Sequence, residues 1–193
     1  MTAVQTEPTR RLPRAQRREQ ILDAATRAFA RAGFANTGLD AIATEAGVTP
    51  AILYRHFDSK VDLYREVLET SQARLYEATA TDTGFDDASI PALIRAAAAN
   101  PDAFRLLFRH ATREPQFRDA MDTMRLGWAE ITHRHLADIT DDRWRSWAAR
   151  LLPTLATEAV ISWLDAGQPD PDQAAINIRH IVEAVIEAAH PAH

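Results

Sequence analysis

Apolar residues recur every three or four positions along most of the chain, which is the spacing of one face of an α-helix. The first such segment runs from 15 to 32 and is followed by Gly33, a residue that commonly ends helices. A second, short segment at 39–46 ends before Gly47. No stretch shows the two-residue alternation of a half-buried strand. The pattern therefore predicts an all-α protein.

Capping residues divide the rest of the chain into further helices. Thr49 followed by Pro50 predicts the start of a third short helix. Ser59 and Asp62 form a capping box that opens a long fourth helix. Further segments are expected near 89–99, 101–112, 115–138, 141–166 and 171–189, for about nine helices in total. The polar stretch 81–89 is a candidate hinge, and Pro153 is expected to kink or split its helix.

Charge is distributed unevenly. The 193-residue chain has a net charge of −5, but residues 1–60 carry +3 and the remainder carries −8. Five arginines lie within nine positions near the start: Arg10, Arg11, Arg14, Arg17 and Arg18. This asymmetry favours an N-terminal module that faces a polyanion, although a solvated basic tail has the same composition. The chain has no cysteine, no apolar run of membrane-spanning length and no secretory signal pattern, so we expect a cytoplasmic protein.

Residues 38–57 are predicted to form two short helices joined by a turn at 46–49, which describes a helix-turn-helix. In this motif the second helix enters the major groove of DNA. The expected inward residues are Leu39, Ile42, Ala43, Val48, Leu53 and Phe57. Tyr54, His56 and Lys60 are then placed to donate hydrogen bonds to DNA phosphates.

The stretch GFANTGLDAIATEAGVTPAILYRHFDSKVDLYREVL closely resembles the DNA-binding domain of the tetracycline-repressor (TetR) family. The resemblance runs from about Gln16 to Leu68, and AGVTPAILYRHFDSK is its most specific part. The remaining chain carries no motif, but its length and helix count look like the ligand-binding and dimerisation domain of that family. The resemblance implies three domains: a disordered basic arm at 1–13, a DNA-binding domain at 14–60, and a ligand-binding and dimerisation domain at 61–193.

The resemblance also implies roles for individual residues. Five positions match family contacts to DNA, mostly to phosphate: Thr37, Thr49, Tyr54, His56 and Lys60. As alternatives, Tyr54 could pack on the first helix, His56 could be a surface residue without a partner, and the arginines could form a disordered arm or reach the DNA.

The chain departs from the family pattern at two places. Gly38 replaces the usual Ser or Thr, which removes one side-chain cap or contact. Pro50, Ala51 and Ile52 replace more polar residues, which puts polar base readout there in doubt. Our hypothesis is that Pro50 and Ala51 touch thymine methyl groups, while Arg55 offers the bidentate fork that reads guanine.

The last two helices are the candidates for a dimer interface, since two helix-turn-helix units must be spaced about one turn of DNA apart. Their apolar residues are Leu152, Leu155, Ala159, Trp163, Ile178, Ile181, Val182 and Val185. With their symmetry mates they would form a four-helix bundle, as in the TetR family. Alternatively, these faces serve the core of one protomer.

The middle of the chain holds large apolar residues at helical spacing, which most often form core. The resemblance raises the alternative that some line a cavity for an apolar or aromatic effector. The chosen candidates are Phe104, Phe108, Met121, Met124 and Trp128, with Arg105, Arg125 and His133 as polar anchors among which the sequence does not decide.

These observations predict a sequence-specific transcriptional regulator, a homodimeric repressor released from a palindromic operator by a small effector. No enzyme activity, metal or cofactor is expected, because His133 and His135 lie two apart on a helix and cannot share a metal. The alternatives are a regulator without an effector, one controlled by a partner protein, an activator, or a binder of DNA with relaxed sequence preference.

Overall fold

The computed structural model describes residues 12–79 and 88–190. These residues form nine α-helices and contain no strand. The helices are α1 (Arg14–Asn36), α2 (Leu39–Glu45), α3 (Pro50–Tyr54), α4 (Lys60–Thr79), α5 (Ser89–Ala99), α6 (Pro101–Arg105), α7 (Arg118–His135), α8 (Asp142–Asp165) and α9 (Pro171–Ala189). The predicted all-α fold with about nine helices is confirmed.

Glycine ends the regular part of α1 where the sequence indicated. Gly33 has φ +74° and ψ 171°, outside the helical region, and the chain turns there before α2 begins. An L side chain rarely adopts this backbone conformation, so glycine is favoured at this position. The turn brings Phe34 back against the helices of the N-terminal part.

Helices α1 to α4 share an apolar core. Buried residues of α1, including Phe29, pack with Ile42 of α2, Leu53 of α3 and Leu63 of α4. Ser59 caps α4 by accepting a hydrogen bond from the backbone N–H of Asp62 at 3.0 Å. The helix-turn-helix is therefore held by its apolar faces, and its polar faces remain outside.

Ion pairs reinforce this arrangement at the surface. Arg27 and Arg31 of α1 both contact Glu45 of α2, at 3.0 and 2.5 Å. Hydrogen bonding from Arg31 holds the pKa of the Glu45 carboxyl below its usual value. Nearer the start of α1, Glu19 and Asp23 both contact the guanidinium of Arg74 on α4. These pairs tie α2 and α4 to the same helix.

The middle of the chain departs from the expected single helix at 101–112. After α6, the segment Leu106–His110 is a π-helix and Ala111–Arg113 is a 3-10 turn. The expected helix at 115–138 likewise opens with a 3-10 turn at Pro115–Phe117 before α7 begins. Apolar spacing indicated helical structure there but could not distinguish these tighter and wider turns, because all of them place residues three to five apart on one side.

Helix α8 continues through Pro153 and is not split into two helices. It packs mainly on α7 and α9, while α5 also contacts α9. At the end of α8, the indole N–H of Trp163 donates to the backbone carbonyl of Pro169 at 2.7 Å. This bond fixes the turn that leads into α9, where Asp170 caps the helix by accepting from the N–H of Gln173.

Candidate nucleic-acid interface

The turn between α2 and α3 is fixed by backbone hydrogen bonds. Gly47 has φ +63°, and the N–H of Val48 donates to the carbonyl of Ala43 at 2.9 Å. The side-chain amide of Gln20 on α1 donates to the carbonyl of Ala46 at 2.8 Å. The turn therefore has one geometry, set both by its glycine and by a polar contact from α1.

Helix α3 presents a polar face to the outside. Thr49 caps the helix by accepting from the N–H of Ile52, although the bond is long at 3.4 Å. Leu53 is completely buried, which fixes the rotation of this short helix. Ala51, Tyr54 and Arg55 are consequently exposed, and Tyr54 keeps 53% of its surface accessible. This face can contact the edges of bases in a major groove.

His56 follows α3 and lies partly below the surface. Its ring atom Nδ1 is buried and has no hydrogen-bond partner among the described residues. Burial, followed by the positive charges of Arg14 and Arg18, lowers the pKa of His56. The ring is therefore mainly neutral at neutral pH, surrounded by cations, and able to hydrogen-bond an incoming anion.

The arginines near the start of the chain have different surroundings. Arg10 and Arg11 lie outside the described residues. Arg18 donates to the backbone carbonyl of His56 at 2.8 Å, pairs with Glu66 of α4, and stacks over the ring of Phe57 at 4.5 Å. Arg18 is thus engaged within the protein and positions the segment that follows α3.

Arg14 and Arg17 instead line an open groove beside α3. This groove of about 550 Å³ is bounded also by Arg55 and His56, as well as by two apolar residues, Leu12 and Ile52. For Arg14 and Arg17 the sequence offered contact with DNA only as an alternative to a disordered arm, without placing them beside α3. Their three-residue separation at the start of α1 is the sequence feature that could have placed them on one face.

Lys60 is the first residue of α4. Its ammonium group donates to the backbone carbonyl of Ala35 at 3.4 Å and lies 4.5 Å from the centre of the Phe34 ring. No ion pair to Lys60 is found in the part of the chain that the structure describes.

Thr37 is oriented differently from the other predicted contacts. Its side chain is buried, and its hydroxyl donates to the carbonyl of Gly33 at 2.7 Å, with Ala28 at 3.3 Å. Gly38, which caps α2, supplies no side-chain hydrogen bond. The hydroxyl of Thr37 therefore stabilises the turn between α1 and α2 in this structure. Its predicted phosphate contact stays a prediction.

The five predicted effector residues do not share one environment. Phe104, Met121 and Met124 are buried in the main core. Phe104 also lines a cavity of about 190 Å³ beside Ser71 and Leu75 of α4. Phe108 and Trp128 are partly exposed, with ring centres 5.4 Å apart, and line a cleft of about 370 Å³.

The predicted dimer residues also separate into two groups. Leu152, Trp163 and Ile178 are buried within the protomer. Four others, Leu155, Ala159, Val182 and Val185, are half-buried, and Ile181 keeps 46% of its surface exposed. Ala159 packs against the main core, and Val182 and Val185 pack against a second core cluster, which leaves Leu155 and Ile181 as the outward candidates.

His133 and His135 have separate partners, as their spacing predicted. His133 contacts Asp142 at 3.2 Å, and His135 contacts the carbonyl of Ile131 at 2.7 Å. Within residues 12–79 and 88–190, no cluster of three or more His, Cys, Asp or Glu side chains is placed to hold a metal. No helix in these ranges is long and apolar enough to cross a membrane.

A family model described as "Bacterial regulatory proteins, tetR family" matches residues 21–67, which cover the helix-turn-helix and the start of α4. Residues 21–67 are thus similar to the DNA-binding region of the TetR family. The predicted family resemblance is therefore confirmed. The match ends within α4, so it does not reach the cavity and cleft of the C-terminal helices.

Curated transcriptional regulators are similar to part of this chain. The transcriptional activator FasR of Mycolicibacterium smegmatis is 49% identical over 59 residues, which are 31% of this chain and 27% of FasR. The transcriptional repressor SCO4008 of Streptomyces coelicolor is 31% identical over 114 residues, 59% of this chain and 53% of that protein. The chain thus spans between about a quarter and a half of the length of these relatives.

Solved structures extend the similarity to nearly the whole chain. A TetR-like regulator from Rhodococcus sp. RHA1 has a TM-score of 0.78 at 24% identity, covering 92% of this chain and 97% of that one. FadR of Bacillus subtilis, solved in complex with stearoyl-CoA, has a TM-score of 0.70 at 18% identity, covering 89% and 99%. At this identity the likeness shows the TetR-family fold of the C-terminal helices and nothing about their ligand.

Proposed function

We propose that this protein is a sequence-specific, DNA-binding transcriptional regulator that binds a palindromic operator as a homodimer. The observation that supports this most directly is the exposed face of α3 in a matched TetR-family helix-turn-helix. Ala51, Tyr54 and Arg55 project from that face, with His56 and Lys60 beside it. In this proposal α3 reads base edges, and the flanking groups hold phosphates and set the register on the DNA.

Selection of genomic fragments from the host tests this proposal. The purified protein is mixed with fragments at about 150 mM salt, and bound DNA is sequenced. We expect a short inverted repeat. Arg55→Ala should relax preference at one base pair per half-site, whereas a uniform loss of affinity would make Arg55 a phosphate contact. Arg143→Ala, which removes an exposed arginine far along the chain, is the matched control. Recovery of no enriched sequence would contradict the proposal.

The dimer in this proposal forms through the outer faces of α8 and α9. Leu155 of α8 is half-buried, and Ile181 is the most exposed of the predicted residues on α9. Burying such faces against a symmetry mate removes apolar surface from water, and the two-fold axis sets the spacing of the two recognition helices.

Charge introduction tests the dimer. Ile181→Glu should shift the protein towards monomer in sedimentation velocity experiments, because a carboxylate would be buried without a partner. Leu126→Glu is the control, since Leu126 is 66% exposed and lies on α7. Equal sedimentation of wild type and Ile181→Glu would place the interface elsewhere.

We further propose that an apolar or aromatic effector binds in the cleft beside Phe108 and Trp128. Its volume of about 370 Å³ is within the usual range for small-molecule sites. Arg125, Arg150 and Glu158 also line the cleft, and Glu158 lies eight residues from Arg150, or about 12 Å along α8. This arrangement favours an effector with an aromatic body and an acidic group near the two arginines.

Three naphthalene derivatives of similar size test the effector proposal by calorimetry: a carboxylate, a neutral amide and a primary ammonium. We expect the carboxylate to bind best, and Arg150→Gln to reduce its affinity about tenfold, as for loss of one charge-assisted hydrogen bond. Preferential binding of the ammonium would show that Glu158 dominates the cleft. Binding of none of the three would contradict this choice of site and ligand.

Effector binding would act on DNA through a two-state change. Helix α4 carries Lys60 at its first residue, and its Ser71 and Leu75 line a separate cavity beside Phe104. The Phe104 ring connects this cavity to the effector cleft, because its centre lies 4.6 Å from that of Phe108. An effector that favours a different tilt of α4 would change the spacing of the two α3 helices, by no more than its differential affinity for the two states. Equal spacing in crystals with and without the bound carboxylate would contradict this mechanism.

We propose repression as the outcome, with effector binding releasing the operator. The alternatives remain activation and control without an effector or by a partner protein. The similarity of this chain to both an activator and a repressor supports keeping activation among them. A reporter gene placed behind the selected operator distinguishes these outcomes. Repression predicts higher expression when the regulator is deleted, and activation predicts the reverse.

A further inference from the structure

Lys60 is the only lysine of the chain, and its side chain lies against an aromatic ring. The ammonium nitrogen is 4.5 Å from the centre of the Phe34 ring, within the range of a cation–π interaction. One of its three N–H groups donates to the carbonyl of Ala35. Two further donors remain, so the ammonium is located by the protein and still able to bind a phosphate.

Other aromatic residues hold the Phe34 ring in place. Tyr64 and Phe117 meet it at steep angles, with ring centres at 5.0 and 5.5 Å, and Phe29 lies 6.1 Å away in a stacked arrangement. Tyr64 and Phe29 are fully buried, and Phe117 is nearly so. The Phe34 ring therefore has little freedom to turn away from Lys60.

Phe117 comes from a different part of the chain than the other aromatic residues. It ends the 3-10 turn that precedes α7, whereas Phe29 and Phe34 belong to the α1 segment and Tyr64 to α4. Phe117 also contacts Tyr64 directly, with ring centres 4.6 Å apart. Phe117, just before α7, therefore contacts the Phe34 ring, which in turn contacts the Lys60 ammonium.

We propose that Phe34 positions the Lys60 ammonium for a DNA phosphate, and that Phe117 supports Phe34 in this role. The ring fixes the ammonium before DNA arrives, so less side-chain entropy is lost on binding. Phe34 and Phe117 are positioning residues, because neither touches the DNA. This inference rests on the proposed function in one respect, namely that the phosphate bound by Lys60 belongs to DNA.

The position of the ammonium can be measured without DNA. When the protein is labelled with carbon-13 lysine, Lys60 gives a single ε-methylene signal. A methylene group over the face of an aromatic ring is shielded, so we expect this signal upfield of its position in free lysine. Phe34→Leu should return it to the free value, and Phe117→Leu should move it part of the way. Tyr64→Phe, which keeps its ring, should leave the signal in place.

Operator titrations then measure the consequence for DNA affinity. Lys60→Met keeps the aliphatic stem but removes the charge, so it should lower the salt dependence by about 0.9, the value for one phosphate contact. Phe34→Leu should weaken binding roughly two- to fivefold, as expected for loss of an exposed cation–π interaction. In combination with Lys60→Met, Phe34→Leu should have no additional effect, because the charge that it positions is gone.

Two further variants separate positioning from folding. Phe104→Leu is the control for Phe117→Leu, since Phe104 is equally buried but pairs with Phe108 instead of Phe34. Trifluorophenylalanine at position 34 nearly keeps the size of the ring and removes most of its electrostatic attraction for cations. It should weaken operator binding like Phe34→Leu while leaving the unfolding temperature near that of wild type.

The results distinguish this inference from the proposed function. A lysine signal at the free value in wild type, or additive effects of Phe34→Leu and Lys60→Met on operator affinity, would overturn the inference while DNA binding stands. The protein could instead show an upfield signal that responds to Phe34→Leu and yet bind no operator. That result would support the contact between Lys60 and Phe34, but it would reject both the phosphate role of Lys60 and the proposed function.

Discussion

Helices α3 and α8 both carry residues that the sequence analysis predicted to be functional. The two helices differ in how their apolar side chains are divided between the interior of the protomer and its surface. In α3, Leu53 is buried and its neighbours Tyr54 and Arg55 are exposed. In α8, Leu152 and Trp163 are buried while Leu155, equally apolar, is only half-buried. A helix with one apolar side reveals its outward residues from the pattern alone, whereas a helix with two apolar sides does not reveal which side meets a partner.

Core truncation should show the largest effect and should separate the two regions. Leu53→Ala and Ile161→Ala each remove a fully buried aliphatic side chain and should each cost about 2–5 kcal/mol in the free energy of unfolding. Only Leu53→Ala should also weaken operator binding by the folded protein, because Leu53 orients α3. Urea denaturation and DNA titration check both statements. Similar losses of operator affinity in the two variants would contradict the prediction that only Leu53 orients α3 for DNA.

Tyr64→Phe should increase stability. Tyr64 is fully buried, its hydroxyl has no hydrogen-bond partner among the described residues, and burial raises its pKa above the ordinary value. Removing the unsatisfied hydroxyl should therefore raise the free energy of unfolding by about 1–3 kcal/mol, while the ring contacts remain. Thermal melting of the two proteins measures the difference. A lower melting temperature would mean that the hydroxyl has a partner in solution.

Two glycine substitutions should have opposite signs. A Cβ atom would meet nothing within 4 Å at either Gly47 or Gly127. Gly47 has φ +63°, so Gly47→Ala should lower the free energy of unfolding by about 1–2 kcal/mol through backbone strain. Gly127 lies inside α7, so Gly127→Ala should raise it by about 1 kcal/mol through helix propensity. Denaturation midpoints that shift in the same direction would contradict this assignment.

Lowering the pH should slightly lower the free energy of unfolding through two partly buried histidines, His56 after α3 and His110 in the π-helix. Burial lowers the folded-state pKa of His56 and of His110 below 6.5, so the unfolded chain binds protons first as the pH falls. Their contribution to stability is complete above about pH 6.5 and is lost as the pH falls from there towards the folded-state pKa values. Urea midpoints measured from pH 7.5 to pH 5 should decline less in His110→Asn than in wild type. An identical decline would show that His110 does not titrate in this way.

Local signals were sufficient for much of the fold. Thr49 and Ser59 act on the few residues beside them, and the helix starts that they predicted agree with α3 and α4 within about one residue. Gly33 marks a kink where the first helix was predicted to end, but α1 continues beyond it to Asn36. The exposed face of α3 followed in the same way from one buried leucine. The family resemblance was needed to assign DNA as the partner of that face.

Contacts between distant residues could not be predicted in this way. The sequence indicated Lys60 as a phosphate ligand, but its position over Phe34 joins residues 26 apart and depends on the turn after Gly33. The engagement of Arg18 with Glu66 and Phe57 likewise comes from packing between helices. In the C-terminal helices, apolar spacing gave the helices themselves but not which residues of α8 and α9 are internal.

Pro153 interrupts the backbone hydrogen bonding of α8, although the helix is continuous. Proline has no N–H, so the carbonyl four residues earlier, that of Ala149, receives no helical hydrogen bond from it. The series of backbone hydrogen bonds in α8 therefore lacks one bond between the part that begins at Asp142 and the part that ends at Asp165. Amide exchange with deuterium reports the opening of such ladders, and it should divide α8 into two cooperative segments with separate protection. On this basis we expect the 24-residue helix to open as two coupled units, one on each side of Pro153.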